Sequence, residues 1–156
     1  MSTDTTQGPG TTWSGPLISG TKKDADAYGP ANTGLAVLRQ IVTLTQNGTN
    51  TVSGEIVLPK GSQIVDILAD TTTAWNSGTS DTLSVGVTAG GTDYASGVST
   101  ATAERVRPTF TAAQLSAMLD IGTNTSVYAT VTPSGTAATA GSTTVTILYV
   151  QTVQAA

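Results

Sequence analysis

The side chains that most enzymes use for proton transfer and nucleophilic attack are scarce in this chain of 156 residues. It contains neither histidine nor cysteine, so the commonest general base, the commonest transition-metal ligand and every thiolate are missing together. Serine hydroxyls are abundant, but no histidine is present to activate one. We therefore predict a chain that has no catalytic residue, is not an enzyme and uses no cofactor.

Carboxylates remain as chemical candidates, either as a pair that hydrolyses a glycosidic bond or as oxygen ligands of a calcium ion. Asp66, Asp70 and Asp81 could converge around the loop that contains Trp75, and Asp93 begins another loop. No D-x-D-x-D-G pattern is present, and aspartates in loops more often cap turns. We predict no metal site and keep a calcium ion at these aspartates as the alternative.

The charge distribution argues against nucleic acid and membrane partners. Charged residues make up 10% of the chain and the formal net charge is −4, whereas a nucleic-acid binder needs a basic stripe to neutralise phosphates. No apolar run approaches the ~18 residues that span a membrane, and the N-terminal residues lack the features of a signal peptide. Arg105 and Arg107 lie two apart and would share one face of a strand, as a contact for an acidic partner or subunit or as a solvated strand edge.

Short runs rich in Val, Ile, Leu and Thr, separated by Gly- and Pro-containing turns, predict β-strands. The Asn47-Gly48 pair is a hairpin signal, and Gly54 indicates a bulge or bend within a strand. The predicted strands cover Leu35 to Gln46, Thr51 to Leu58, Gln63 to Ala69, Thr82 to Thr88, Ser126 to Thr132 and Thr143 to Val153.

One short helix interrupts this pattern. Thr111 and Gln114 have the spacing of a capping box, and Leu115, Met118 and Leu119 follow at helical spacing. The fold class that we predict is all-β: an antiparallel β-sandwich or jelly roll over residues 35–156, with one short helix and an extended N-terminal arm. Its core should contain Ile56, Leu58, Ile64, Ile67, Leu83, Val85, Val127, Val131, Ile147 and Leu148.

Residues 1–34 carry glycine and proline too often for a helix or a long strand. Trp13, Leu17, Ile18 and Tyr28 nevertheless interrupt this segment, and such side chains gain free energy by burial. We interpret residues 1–34 as an extended arm whose apolar side chains bind a partner.

Trp75, in the loop between two predicted strands, has two interpretations. It could seal one end of the sandwich as part of the core, or it could be an exposed anchor for a partner, because buried tryptophan contacts often dominate interface energies. We include Trp75 with the four arm residues in the set of candidate partner-binding residues.

The segment from Thr51 to Val87 carries a recognisable order of elements: an alternating strand, a Leu58-Pro59-Lys60-Gly61 turn, an apolar strand, a loop with Ala74-Trp75, and the strand that begins Thr82-Leu83. This order resembles small virion proteins of tailed bacteriophages, namely capsid decoration (cement) proteins and related accessory proteins. The resemblance covers about a quarter of the chain.

The resemblance implies a non-enzymatic component of the virion, located on the capsid surface, which binds the major capsid protein and stabilises the shell. It also implies self-association, as a homotrimer. The alternative from another class is a receptor- or glycan-binding module of a tail or head fibre, because jelly rolls also serve as lectins.

The arm interpretation predicts that residues 1–30 contribute to attachment more than to folding. Deletion of these residues should leave a folded, β-rich domain by circular dichroism, and that domain should bind capsids poorly or fail to oligomerise. Outright unfolding of the truncated chain, or undiminished binding to capsids, would contradict the interpretation.

Overall fold

A computed structural model describes residues 36–151 of the chain. Within this range the chain forms eight β-strands and one helix. The elements are β1 (Leu38–Thr45), β2 (Val52–Leu58), β3 (Ser62–Thr73), β4 (Ser80–Gly86), β5 (Ala95–Ser99), β6 (Arg105–Val106), α1 (Ala112–Met118), β7 (Thr125–Ser134) and β8 (Ser142–Gln151).

The strands form two four-stranded sheets. The first sheet has the order β1-β8-β3-β6 and the second has the order β2-β7-β4-β5. Every strand pair is antiparallel, and the apolar side chains of the two inner faces form one core. The prediction of an all-β antiparallel sandwich with one short helix is confirmed.

Strand β8, which lies inside the first sheet, shows how the sequence specifies the core. Its side chains alternate, so that Thr143, Val145, Ile147 and Tyr149 are buried while the residues between them are only half-buried. Leu148 therefore lies on the outer face of the sheet, and its assignment to the core was wrong. Neighbouring residues of a strand point to opposite faces, so Ile147 and Leu148 cannot both point inward.

The other nine residues predicted for the core are buried, as are several small or polar residues that the sequence did not single out. Ser62, Thr71, Thr130 and Thr143 are all buried polar side chains. Each of them makes a hydrogen bond, which offsets the cost of removing a hydroxyl from water.

Two predicted turns connect strands of different sheets. Gly48 adopts a left-handed conformation, with φ +64°, but β1 pairs with β8 and β2 pairs with β7, so Asn47-Gly48 is not the turn of a hairpin. The Pro59–Gly61 turn likewise carries the chain from the second sheet to the first. A local turn signal specifies a reversal of the chain and leaves the strand partner open.

Gly54 allows close approach of two strands rather than a bulge. The β2–β7 register runs through Gly54 without a shift, whereas a Cβ added at Gly54 would collide with the side chain of Val42 on β1. Gln40 joins the same two strands by donating a hydrogen bond to the Val57 carbonyl, at 2.7 Å. The sandwich is thus closed tightly along its β1–β2 side.

The connections between strands differ most from the prediction. Strand β3 extends to Thr73, so the Trp75 loop is shorter than expected, and β5 and β6 were not predicted. The fourth strand was predicted to reach Thr88, but β4 ends at Gly86 and Val87 is 42% exposed. The chain folds back at this point, because the Asp93 carboxylate accepts a hydrogen bond from the Val87 N–H.

The helix forms as its sequence predicts. The Thr111 hydroxyl accepts from the Gln114 N–H, and the Gln114 side chain accepts from the Thr111 N–H. The Gln114 amide also donates to the Thr92 carbonyl, at 2.9 Å, and so ties the helix to the loop between β4 and β5.

Some predictions concern residues that the structure does not describe. The arm of residues 1–34, with Trp13, Leu17, Ile18 and Tyr28, lies outside the described residues, as do the last two residues of the strand predicted to reach Val153.

Ile67 provides a test of the core. It lies on β3 and is fully buried, whereas Ile41 on β1 is 55% exposed. Ile67→Ala should reduce the free energy of unfolding by about 2–5 kcal/mol, and Ile41→Ala should reduce it by less than about 0.5 kcal/mol, both measured by urea denaturation. A loss below half a kilocalorie for Ile67→Ala would place this residue outside the core.

Candidate interaction surfaces

The carboxylates do not converge on a site. Asp66 and Asp70 lie on the outer face of the first sheet, where they form ion pairs with Arg107 and Arg105. Asp81 is buried in the second sheet. No group of three or more potential metal-ligating side chains occurs within residues 36–151, and the three aspartates do not converge as the calcium alternative expected.

Asp81 instead organises the loop between β3 and β4. One oxygen of its carboxylate accepts a hydrogen bond from the Ser77 N–H, at 3.0 Å, and its backbone carbonyl accepts from the N–H and the hydroxyl of Thr100. The other carboxylate oxygen, Oδ1, has no hydrogen-bond partner within the described residues. The contacts that are present hold three segments together at one end of the sandwich.

Trp75 belongs to the core. Its side chain is 2% exposed, and its indole N–H donates to the Thr143 hydroxyl at 2.9 Å. A Cβ added at Gly141 would lie 2.5 Å from the indole ring, so glycine leaves the space that the ring occupies. The buried indole offers no surface to a partner, and we therefore leave Trp75 out of the candidate surfaces below.

The outer face of the second sheet is made of hydroxyl groups. Ser53 on β2 and Thr130 on β7 lie opposite one another and share a hydrogen bond of 2.9 Å. The Thr130 hydroxyl also accepts from the Gly90 N–H, so the β4–β5 loop covers part of this face. Glu55 and Val57, both on β2, supply a carboxylate and an isolated apolar side chain.

The outer face of the first sheet has a different chemistry. Strand register places Ile41, Thr146 and Leu68 in one row across β1, β8 and β3, and Arg39, Leu148 and Asp66 in the next row. Ile41 is 55% exposed. This face therefore presents branched aliphatic side chains beside guanidinium groups, and we call it the β1-β8-β3 face.

Two ion pairs hold the short strand β6 and the residues after it at the border of this face. Arg105 donates to Asp70 at 2.5 Å, and Arg107 donates to Asp66 at 2.8 Å. The hydrogen bond to Asp70 and the negative charge of that carboxylate raise the pKa of the Arg105 guanidinium. Both arginines are mostly exposed, so the pairs fix the position of this segment more than they stabilise the fold. The prediction that the two arginines share a face is confirmed.

A shallow apolar groove lies between the start of β3 and α1. It has a volume of about 280 Å³. Val65 projects beside it because a bulge shifts the β3–β8 register between Ile64 and Asp66. Leu115 and Leu119 on the helix side are 51% and 62% exposed. The groove is lined by Gln63, Ile64, Val65, Arg107, Phe110, Leu115, Met118 and Leu119.

The groove was not recognised from the sequence. Leu115 and Leu119 were treated only as evidence for a helix, yet the buried residues of this helix are Gln114 and Met118, and both leucines are left exposed. No helix in the described part of the chain is long and apolar enough to cross a membrane.

Comparison with solved structures reveals a similar fold in a chain of the cyanophage Pam1 capsid asymmetric unit. The TM-score is 0.52 and the sequence identity is 23%; the match covers 88% of this chain and 99% of the Pam1 chain. The likeness is one of fold. Because it spans nearly all of both chains, the two proteins are also of comparable length. No protein family and no curated protein sequence matches the chain.

Proposed function

We propose that this chain is a structural component of a phage virion: a decoration or cement protein that binds the major capsid protein on the outside of the shell. The observation that carries the proposal is the likeness in fold, over nearly the whole of both chains, to a chain of a phage capsid asymmetric unit. The decoration role itself comes from the order of elements in residues 51–87, which we interpret as resembling capsid decoration proteins.

The strand order adds to this argument. Eight strands in the orders β1-β8-β3-β6 and β2-β7-β4-β5 carry the chain repeatedly from one sheet to the other. We assign this sandwich to the jelly-roll class, which occurs in viral capsid proteins and in lectins.

A cement protein acts through a contact surface and requires no reactive groups. A cement protein binds the assembled lattice and not the free subunits, so its binding free energy is added to the stability of the shell. The β1-β8-β3 face and the adjacent groove offer exposed apolar side chains. Association into a homotrimer, which the sequence resemblance implies, would multiply the contacts that each attachment makes.

The N-terminal residues complete the proposal. The candidate partner-binding residues of this segment are still Trp13, Leu17, Ile18 and Tyr28. A segment rich in glycine and proline does not form a core of its own, so its large apolar side chains gain free energy by burial against a partner. We propose that they contact a neighbouring subunit or the shell.

The fibre-module alternative requires a sugar site, in which an exposed aromatic ring lies beside polar groups. Trp75 and Tyr94, the aromatic side chains of the loops after β3 and β4, are 2% and 4% exposed and cannot supply that ring. The groove beside α1 contains one aromatic side chain, Phe110, and its other lining residues are mostly aliphatic.

The proposal predicts that the purified chain stabilises phage particles that lack it. Added to such particles, it should restore resistance to heat, chelator or osmotic shock, and the effect should saturate at a fixed number of copies per capsid. Binding confined to tails, cells or sugars, with shell stability unchanged, would favour the fibre module instead.

A further inference from the structure

The two outer faces of the sandwich differ in charge. All three arginines of residues 36–151 lie on or beside the β1-β8-β3 face, together with two aspartates. Three positive and two negative groups give this face a net charge of +1. The remaining charged groups of residues 36–151 are Lys60, Glu55, Asp81, Asp93, Glu104 and Asp120, which sum to −4. The β1-β8-β3 face is thus the positive side of an acidic domain.

Arg39 is the arginine on this face that could form an ion pair with a partner. Arg105 and Arg107 are each paired with an aspartate, whereas no ion pair forms at Arg39 within the described residues. Arg39 lies opposite Leu148, in the row next to Ile41. A carboxylate from a partner could therefore pair with the Arg39 guanidinium beside the exposed side chain of Ile41.

Half of the exposed apolar side chains lie on the same side. The described residues include eight large hydrophobic side chains that are exposed, and four of them lie on this face or line the groove that adjoins it. These four are Ile41, Val65, Leu115 and Leu119. Gln63 and Arg107 belong to both the face and the lining of the groove, so the two form one continuous surface.

We propose that the β1-β8-β3 face, with the adjoining groove, is the surface that meets the shell, and that its partner is a protein surface presenting carboxylates among apolar side chains. This inference rests on the proposed function and specifies which side of the sandwich carries it. The hydroxyl-lined face of the second sheet then points away from the shell.

Charge favours such a partner over a second copy of this chain. Two copies of the β1-β8-β3 face placed against each other would bring together surfaces of the same sign. An acidic partner instead pairs with Arg39, and an apolar side chain of that partner can enter the groove. A contact of this kind weakens with increasing salt, because its charged rim is exposed to solvent.

The test compares matched variants of the full-length chain in a binding assay with phage shells prepared without it. Ile41→Asp introduces a charge on the proposed face, and Val57→Asp introduces the same charge on the opposite face at a residue of similar exposure, 55% against 50%. Arg39→Glu reverses the unpaired charge, and Lys60→Glu is its control in the β2–β3 turn.

Ile41→Asp should weaken binding about thirty-fold or more, because it places a charge in an apolar part of the proposed interface. Arg39→Glu should weaken it about ten-fold and reduce the salt dependence of binding. Val57→Asp and Lys60→Glu should bind like the unchanged chain, and all four variants should keep its thermal unfolding temperature.

Other outcomes overturn the inference in distinguishable ways. If the unchanged chain binds shells and Ile41→Asp and Arg39→Glu bind equally well, the face is wrong while the proposed function stands. If these two variants change only the oligomeric state in sedimentation, a second copy occupies the face. If the unchanged chain does not bind shells, the proposed function fails and the inference fails with it.

Discussion

Burial between two sheets requires side chains to alternate, and β8 meets this constraint along nearly its whole length, paired with β3 inside the first sheet. Their inward residues, among them Ile67, Val145 and Ile147, are fully buried against the second sheet. Once these residues face inward, Leu68, Asp66 and Leu148 must face outward. The composition of the β1-β8-β3 face is therefore a consequence of the same register that forms the core, and the ion pairs to Arg105 and Arg107 depend on it as well.

The two outer faces of the sandwich differ in the side chains that occupy their outward positions. On the second sheet these positions hold mainly serine and threonine, whose hydroxyls bond to one another and to the loop above them. On the first sheet several hold aliphatic side chains, although each exposes apolar surface to water at a cost in solubility. The sandwich therefore has one face with exposed aliphatic side chains and arginines and one face with mainly hydroxyl groups. Such a difference between the faces suits the decoration protein that we propose.

Much of the fold could be predicted from residue types alone, because period-two patterns and turn residues are local. Six of the eight strands, the capping box at Thr111 and nine of ten core residues followed from such patterns. The errors arose where local signals were ambiguous. Ile147 and Leu148 are equally apolar, and Asn47-Gly48 specifies a reversal without specifying that β1 pairs with β8, a strand about a hundred residues away. The bulge that exposes Val65 and the burial of Trp75 depend on neighbours that come from distant parts of the sequence. The candidate surface could not be found for the same reason: Ile41, Leu148 and Arg107 become neighbours only when β1, β8, β3 and β6 assemble.

The central claim is that this chain is part of the phage shell, and a cryo-electron microscopy map of the intact virion tests it most directly. The account predicts density for an eight-stranded sandwich at repeated positions on the outside of the capsid, in contact with the major capsid protein. Density for the chain at the tail or on fibres only, or a particle whose shell contains no such sandwich, would contradict it.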